Sequence, residues 1–255
     1  MSNNNWRNWE HEKKYGELFY KRSIGQMPEM ESSKSVSKLI KSYYKEGDRL
    51  LDVACGAGHY LRSLRNIVDS RIDYTGVDAT PYYLELAKKA YGEGPTFITG
   101  DVLDIPIPAS TYDIVICNNL VMHLPPDLLK AFSELIRVSK GVVSVRAMFG
   151  DRNYVVKEIM SERDFDLEIE KGDDFLDSNL ENYPFRYFNM FTETYYRELI
   201  KRINPNLKVT IIKDNDWQPF NNINDLGSAT GTRAVGGMQV SGNLILDWRY
   251  IIIEK

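Results

Sequence analysis

Leu50-Leu51-Asp52-Val53-Ala54-Cys55-Gly56-Ala57-Gly58-His59-Tyr60 is the stretch on which the fold turns. Leu50, Leu51, Val53 and Ala54 make a short apolar run suited to a fully buried strand. The run stops at Gly56-Ala57-Gly58, where missing side chains permit a tight turn and let a ligand approach the backbone. Tyr60, Leu61, Leu64 and Ile67 follow at helical spacing. A second strand, Ile72 to Val77, then delivers Asp78 to the same edge, 20 positions after Gly58. A carboxylate at that distance from a glycine turn is placed to hold a ribose diol, so the unit is expected to bind an adenosine-type ligand.

The details narrow the ligand. A dinucleotide fingerprint needs a third glycine where Leu61 stands, and no Lys-Ser or Lys-Thr follows the turn as a phosphate cradle requires. Asp52 before the turn would repel a pyrophosphate but suits a ligand with a cationic end. The string Asp52-x-x-Cys55-Gly56-x-Gly58 resembles the first motif of the class I S-adenosylmethionine-dependent methyltransferases. The resemblance continues. Phe97 to Val102 looks like the third strand of that family, whose terminal acid receives the adenine amino group while the next residue packs on the ring; Asp101 and Val102 match those positions. Thr111 to Asn119 resembles the fourth strand, Leu120-Val121-Met122-His123-Leu124 the stretch after it, and Gly141 to Val145 the fifth.

The resemblance implies an α/β fold: a doubly wound, seven-stranded, mostly parallel sheet with helices on both faces. An antiparallel C-terminal hairpin is expected from Leu207–Lys213 and Leu244–Ile253. It implies S-adenosyl-L-methionine as cofactor, held by Asp52, Ala54, Gly56, Gly58, Asp78, Ala79, Asp101, Val102 and Asn118. Ligands in such sheets bind beyond the carboxyl ends of the strands, at the switch point, where Asp52, Asp78, Asp101 and Asn118 all end.

The composition fits one enzyme domain over residues 1–255. The chain is long enough for a large core, and a formal charge of −4 gives nucleic acid no general electrostatic attraction. Cys55 and Cys117 both fall in or beside predicted buried strands and read as reduced thiols of a cytoplasmic protein. No stretch approaches the roughly 18 apolar residues of a membrane span. His11, His59 and His123 are the only histidines, and no cluster has metal-ligand spacing. No membrane or nucleic-acid partner is expected, only a small-molecule acceptor. The sequence sets no oligomeric state, a homodimer included.

Three additions surround this body. Residues 1–34 are polar and aromatic and read as an N-terminal cap. Arg22 there either meets the methionine carboxylate bidentately or lies on a helix whose aromatics pack on the body. Residues 149–191 read as a lid insertion. Its acidic run, Glu162 to Glu181, is either a rim that attracts an amine or a solvated face, and Tyr183-Pro184-Phe185-Arg186-Tyr187-Phe188 follows it. Residues 214–243 read as a long glycine-rich loop carrying Trp217. Tyr154, Tyr183, Arg186 and Trp217 are the candidate acceptor contacts.

The expected chemistry is methyl transfer to a hydroxyl or amine of a small polar metabolite, such as a sugar. Alignment supplies much of the rate, and a base helps where the nucleophile is a hydroxyl. His123 is the candidate base, or else a packing residue; Asp151, Tyr154 and Asp216 are other proton acceptors. Two further functions stand beside this one: a Rossmann-type oxidoreductase, against which Leu61 and Asp52 argue, and a non-catalytic partner subunit that binds the cofactor.

Overall fold

The structure is a computed structural model, and it describes residues 6, 7, 9, 13–159, 185–215, 232–235, 238–241 and 244–255. Alternating apolar segments produce the expected βα rhythm. Two helices, α1 (Lys13–Ser23) and α2 (Glu31–Lys41), precede the body. Then come β1 (Arg49–Val53), α3 (His59–Ile67), β2 (Asp73–Asp78), α4 (Pro81–Tyr91), β3 (Thr96–Thr99) and β4 (Tyr112–Asn118). A single 3-10 turn, Val121–His123, leads to α5 (Leu129–Val138) and to β5 (Ser139–Phe149). A short pair, β6 (Lys157–Ile159) and β7 (Phe185–Tyr187), precedes α6 (Glu193–Ile203) and β8 (Lys208–Lys213). The chain ends in β9 (Thr232–Val235), β10 (Met238–Ser241), β11 (Leu244–Ile245) and β12 (Asp247–Glu254).

The main sheet has seven strands in the order β3-β2-β1-β4-β5-β12-β8. β1 pairs in parallel with both β2 and β4, so the order reverses beside it. β12 runs antiparallel to β5 and to β8, which is the expected C-terminal hairpin. The sheet is buried on both faces because its residues alternate between two cores. Leu51, Val53, Val115 and Val145 face Phe132, Leu135 and Tyr196. Leu50, Ile114, Ile116 and Ile252 face Ile40, Leu61 and Leu64. Cys55 and Cys117 are buried free thiols.

α2 joins the second face by an unusual seam. Its sequence, Ser32-Ser33-Lys34-Ser35-Val36-Ser37, is polar, yet Ser33 and Ser37 are fully buried, as is Ser63 on α3. Ser33 Oγ lies 2.8 Å from Ser63 Oγ and 2.8 Å from the carbonyl of Met30; Ser37 donates to the carbonyl of Ser33 at 2.7 Å. Small side chains let the helices approach, and each hydroxyl finds a partner.

Two of the additions differ from a plain cap and loop. Residues 13–41 are largely helical. The described parts of 214–243 include β9 and β10, which form a three-stranded antiparallel sheet with β11; alternation in so short a glycine-flanked run is too weak a signal to show these strands. Of the lid, residues 160–184 lie outside the described residues, as does the acidic run, and its described ends pair as β6 and β7. Among the described residues no helix is long and apolar enough to cross a membrane.

Candidate active site

The turn after β1 alternates left-handed residues: Ala54 has φ 63°, Gly56 φ 55° and Gly58 φ 73°. Both Ala54 and Cys55 donate their amides to the carbonyl of Val77, which stitches the turn to β2. Above it opens a cavity of about 1090 Å³, its mouth included. It sits at the carboxyl ends of β1, β2 and β4, at the switch point. Its wall includes Asp52, Ala54, Gly56, Asp78, Ala79, Asp101, Val102, Asn118 and His123. Nine of the expected site residues are thus brought together.

Each acid has a distinct setting. Asp78 is buried, and its two oxygens accept the amides of Gly56 at 2.8 Å and of Thr80 at 2.9 Å. Burial pushes its carboxyl up, against the pull of those two bonds. Asp52 accepts the Tyr74 hydroxyl at 2.8 Å. Burial pushes it up to about 7, a bond from Tyr74 opposes the rise, and the Asp78 charge adds to it. Asp101 accepts its own loop's Leu103 amide at 2.9 Å and pairs with Arg7 at 2.5 Å, which brings the N-terminal segment over the cavity.

Several buried polar atoms face no partner. Asn118 is 8% exposed, and both carboxamide atoms are unpaired. Arg22 is buried with Nε and Nη1 unpaired, and desolvation holds its guanidinium below the usual range. His59 is half-buried, with its Nδ1 atom buried and unpaired; desolvation, with the Arg22 charge adding, pushes it down to about 3. Native interiors rarely leave such groups unmet, so a ligand is their natural partner.

His123 ends the 3-10 turn on the opposite wall. Its Nδ1 lies 2.8 Å from the carbonyl of Tyr187. A carbonyl only accepts, so Nδ1 donates and the neutral ring keeps its lone pair at Nε2. Trp9 and Phe188 meet the ring edge-on at 5.2 and 5.3 Å. Burial pushes this histidine down to about 4, partly opposed by the Tyr187 bond.

The other expected residues lie elsewhere. Gly58 does not line the cavity. A Cβ there would stand 3.1 Å from Tyr91 and 3.2 Å from Phe97, and its carbonyl accepts the Tyr91 hydroxyl, so packing and φ demand the glycine. Arg22 is also off the wall, next to His59, with its neighbour Ser23 bonded to the carbonyl of Ala57 at 2.8 Å. Tyr154 is 41% exposed and bonded to Asp151, and Arg186 pairs with Glu158 at 2.6 Å; neither lines the cavity. Tyr154 precedes the β6–β7 pair, whereas Arg186 lies within it, half-buried, with its guanidinium 5.7 Å over the Phe188 ring. Tyr183, Trp217 and Asp216 lie outside the described residues.

The sequence reading missed a polar chain behind the cavity. Arg146 on β5 donates Nε to Asp214 at 2.7 Å and Nη1 to Asn119 at 2.5 Å. Asn119 passes the chain to the Tyr60 hydroxyl at 3.1 Å, and Tyr60 meets Ser32 at 2.7 Å. Tyr60 and Asn119 both line the cavity. Arg146 was visible as the one charge in the apolar run Val142 to Phe149. Among the described residues no group of three or more His, Cys, Asp or Glu side chains could hold a metal ion.

Residues 51–143 match the family described as "Methyltransferase domain". The strand order around them is that of a class I Rossmann-like fold. The chain has curated relatives. It is 31% identical over 136 residues to sterol 24-C-methyltransferase ERG6A of Gibberella zeae, covering 51% of this chain and 35% of that protein. It is 32% identical over 98 residues to demethylmenaquinone methyltransferase of Staphylococcus aureus, covering 38% of this chain and 40% of that one. The chain thus spans less than half the length of these relatives.

Solved structures share its fold. The 1,6-didemethyltoxoflavin-N1-methyltransferase of Burkholderia thailandensis, with bound 1,6-didemethyltoxoflavin and S-adenosylhomocysteine, superposes with a TM-score of 0.54 at 14% identity, over 88% of this chain and 79% of that one. Magnesium protoporphyrin IX methyltransferase of Synechocystis PCC 6803, with bound SAM, gives 0.50 at 15% identity, over 88% and 78%. The family uses S-adenosylmethionine. The cavity fits that cofactor: two buried acids and an unpaired carboxamide are complementary to hydroxyls and an amine.

Proposed function

We propose that this protein transfers the methyl group of S-adenosylmethionine to a hydroxyl or amine of a small molecule. The observation that supports this best is the unpaired Asn118 carboxamide beside Asp52 and Asp78, in a cavity at the sheet's switch point. In this reading Asp78 keeps its bonds to Gly56 and Thr80 and offers its remaining lone pairs to the ribose hydroxyls. Asp101 faces the adenine amino group, and Val102 packs on the ring. Asp52, Ala54, Gly56 and Ala79 shape the turn beneath. The bound cofactor supplies a methyl group already activated by its sulfonium.

The protein's own work is alignment and water exclusion. Trp6, Trp9, Leu120 and Leu124 line the cavity along with His123, which Trp9 meets edge-on. An acceptor with an apolar body carrying the nucleophile suits that wall better than a sugar does. His123 receives the acceptor proton at Nε2, while the Tyr187 carbonyl fixes the ring through Nδ1.

Titration calorimetry with S-adenosylmethionine, S-adenosylhomocysteine and NAD tests the cofactor. Binding of the first two and not the third is expected; a folded protein that binds neither adenosyl compound overturns the proposal. Transfer of labelled methyl to a panel of phenols, amines, quinols and sugars then tests the acceptor.

A further inference from the structure

Arg146 and Asp214 form an ion pair whose side chains are 6% and 1% exposed. Such a pair is costly to bury, and a well-packed apolar pair often serves stability as well. The strand around it, Val142 to Phe149, is otherwise nearly all apolar. The pair is nonetheless fully furnished. Asp214 takes Ser35 Oγ on its other oxygen at 2.7 Å, and the Arg146 guanidinium lies 4.0 Å over the Trp248 ring. Elements from β5, β8, β12 and α2 therefore converge to fix one guanidinium.

That guanidinium ends on Asn119, and so does the backbone beneath it: the Asn119 amide donates to the Arg146 carbonyl at 3.2 Å. Asn119 is left-handed, with φ 58°. Its carboxamide is used at both ends, the oxygen by Arg146 and the nitrogen on Tyr60. Both ends of that carboxamide are therefore engaged by protein groups. Its neighbour Asn118 is the reverse, with a carboxamide that no protein group meets.

We propose that Arg146 is a positioning residue: clamped by Asp214 and Trp248, it holds Asn119 left-handed so that the Asn118 carboxamide and the 118–120 backbone face the cofactor. This rests on the reading that the cavity holds S-adenosylmethionine. The clamp acts through conformation, because Arg146 itself is not on the cavity wall.

The test uses S-adenosylhomocysteine binding by calorimetry, with thermal unfolding alongside. Glycine adopts a left-handed conformation freely and alanine does not. Both Asn119→Gly and Asn119→Ala cut the chain to Arg146 and Tyr60 and spare the ion pair. Asn119→Ala is expected to bind about tenfold more weakly than Asn119→Gly, since left-handed backbone costs a residue with Cβ ~1–2 kcal/mol. Arg146→Lys keeps a charge for Asp214 but loses the fork that reaches Asn119. It should weaken binding about tenfold, and adding Asn119→Gly to it should cause no further loss beyond Asn119→Gly alone. A purely structural Arg146 would lower the unfolding temperature, and the loss from Arg146→Lys would add to that of Asn119→Gly. Equal affinities of Asn119→Ala and Asn119→Gly, with the wild type binding normally, overturn the proposal, and they do so even if Arg146→Lys fails to fold. A wild type that does not bind takes the cofactor reading down first, and the positioning role with it.

Discussion

The carboxylate of Asp78 and the amide of Gly56 meet at 2.8 Å, tying the end of β2 to the glycine turn after β1. One side chain therefore does two things: it shapes the turn from beneath and lines the cavity above it.

Asp78→Ala should lose both functions. A hydrogen bond to a charged group contributes about 1.5–3 kcal/mol, so S-adenosylhomocysteine affinity is expected to fall roughly tenfold to a hundredfold. The unfolding temperature should fall with it, because the Gly56 and Thr80 amides lose their acceptor. Calorimetry and thermal melts separate the two effects; unchanged affinity would remove Asp78 from the site.

Asp52 predicts a pH dependence. Its folded value, about 7, lies above that of an ordinary carboxylate, so the native state holds a proton that the unfolded state releases. Stability from this group is fully present below about pH 4 and declines as pH rises to about 7. Asp52→Asn should flatten that decline in denaturant titrations. The ionised carboxylate also favours a cation, so affinity for S-adenosylmethionine should rise through pH 7 more steeply than affinity for uncharged-sulfur S-adenosylhomocysteine. Parallel curves for the two ligands would contradict this.

His123 sits at about 4, not near the 6.5 of a free imidazole. If Nε2 takes the acceptor proton, turnover should stay flat from neutral pH down to about 5 and fall on a limb near 4. His123→Asn should then lower turnover by about a hundredfold with cofactor affinity nearly intact. A folded His123→Asn enzyme at full rate would leave the histidine as a packing residue between Trp9 and Phe188.

Ala54 carries a left-handed backbone that its Cβ resists. Ala54→Gly relieves about 1–2 kcal/mol of that strain and adds about 0.5–1 kcal/mol of unfolded-state entropy. A small rise in unfolding temperature is expected, with cofactor binding unchanged. A fall would show that the alanine methyl contributes more by packing than the strain costs.

The sheet order and the acids at its edge were legible in the sequence because the buried central strands are largely apolar and carry a polar residue at or next to their carboxyl ends. Asp52, Asp78 and Asn118 mark three such ends. Gly58 was legible as a glycine but not for its reason, since Tyr91 and Phe97 come from α4 and β3, more than thirty residues away. The same distance hid the Arg146–Asp214 pair, whose partners are 68 residues apart in sequence. Local periodicity carries no record of such contacts; the lone charge at Arg146 announced a partner without naming it. The serines of α2 gave no sequence signal of burial for a similar reason: they are buried by close approach to another helix, not by hydrophobicity.

That serine seam has a consequence of its own. A contact made of hydroxyls and bare Cβ atoms is indifferent to greasiness and strict about volume. Alanine or glycine would fit at Ser33 or Ser63, whereas a single branched side chain would wedge the two helices apart. α2 would not leave alone: it also carries Ser32, which meets Tyr60, and Ser35, which meets Asp214. The serine seam therefore helps set the alignment of the Arg146–Asp214 pair, and a bulky substitution far from the cavity would be felt there.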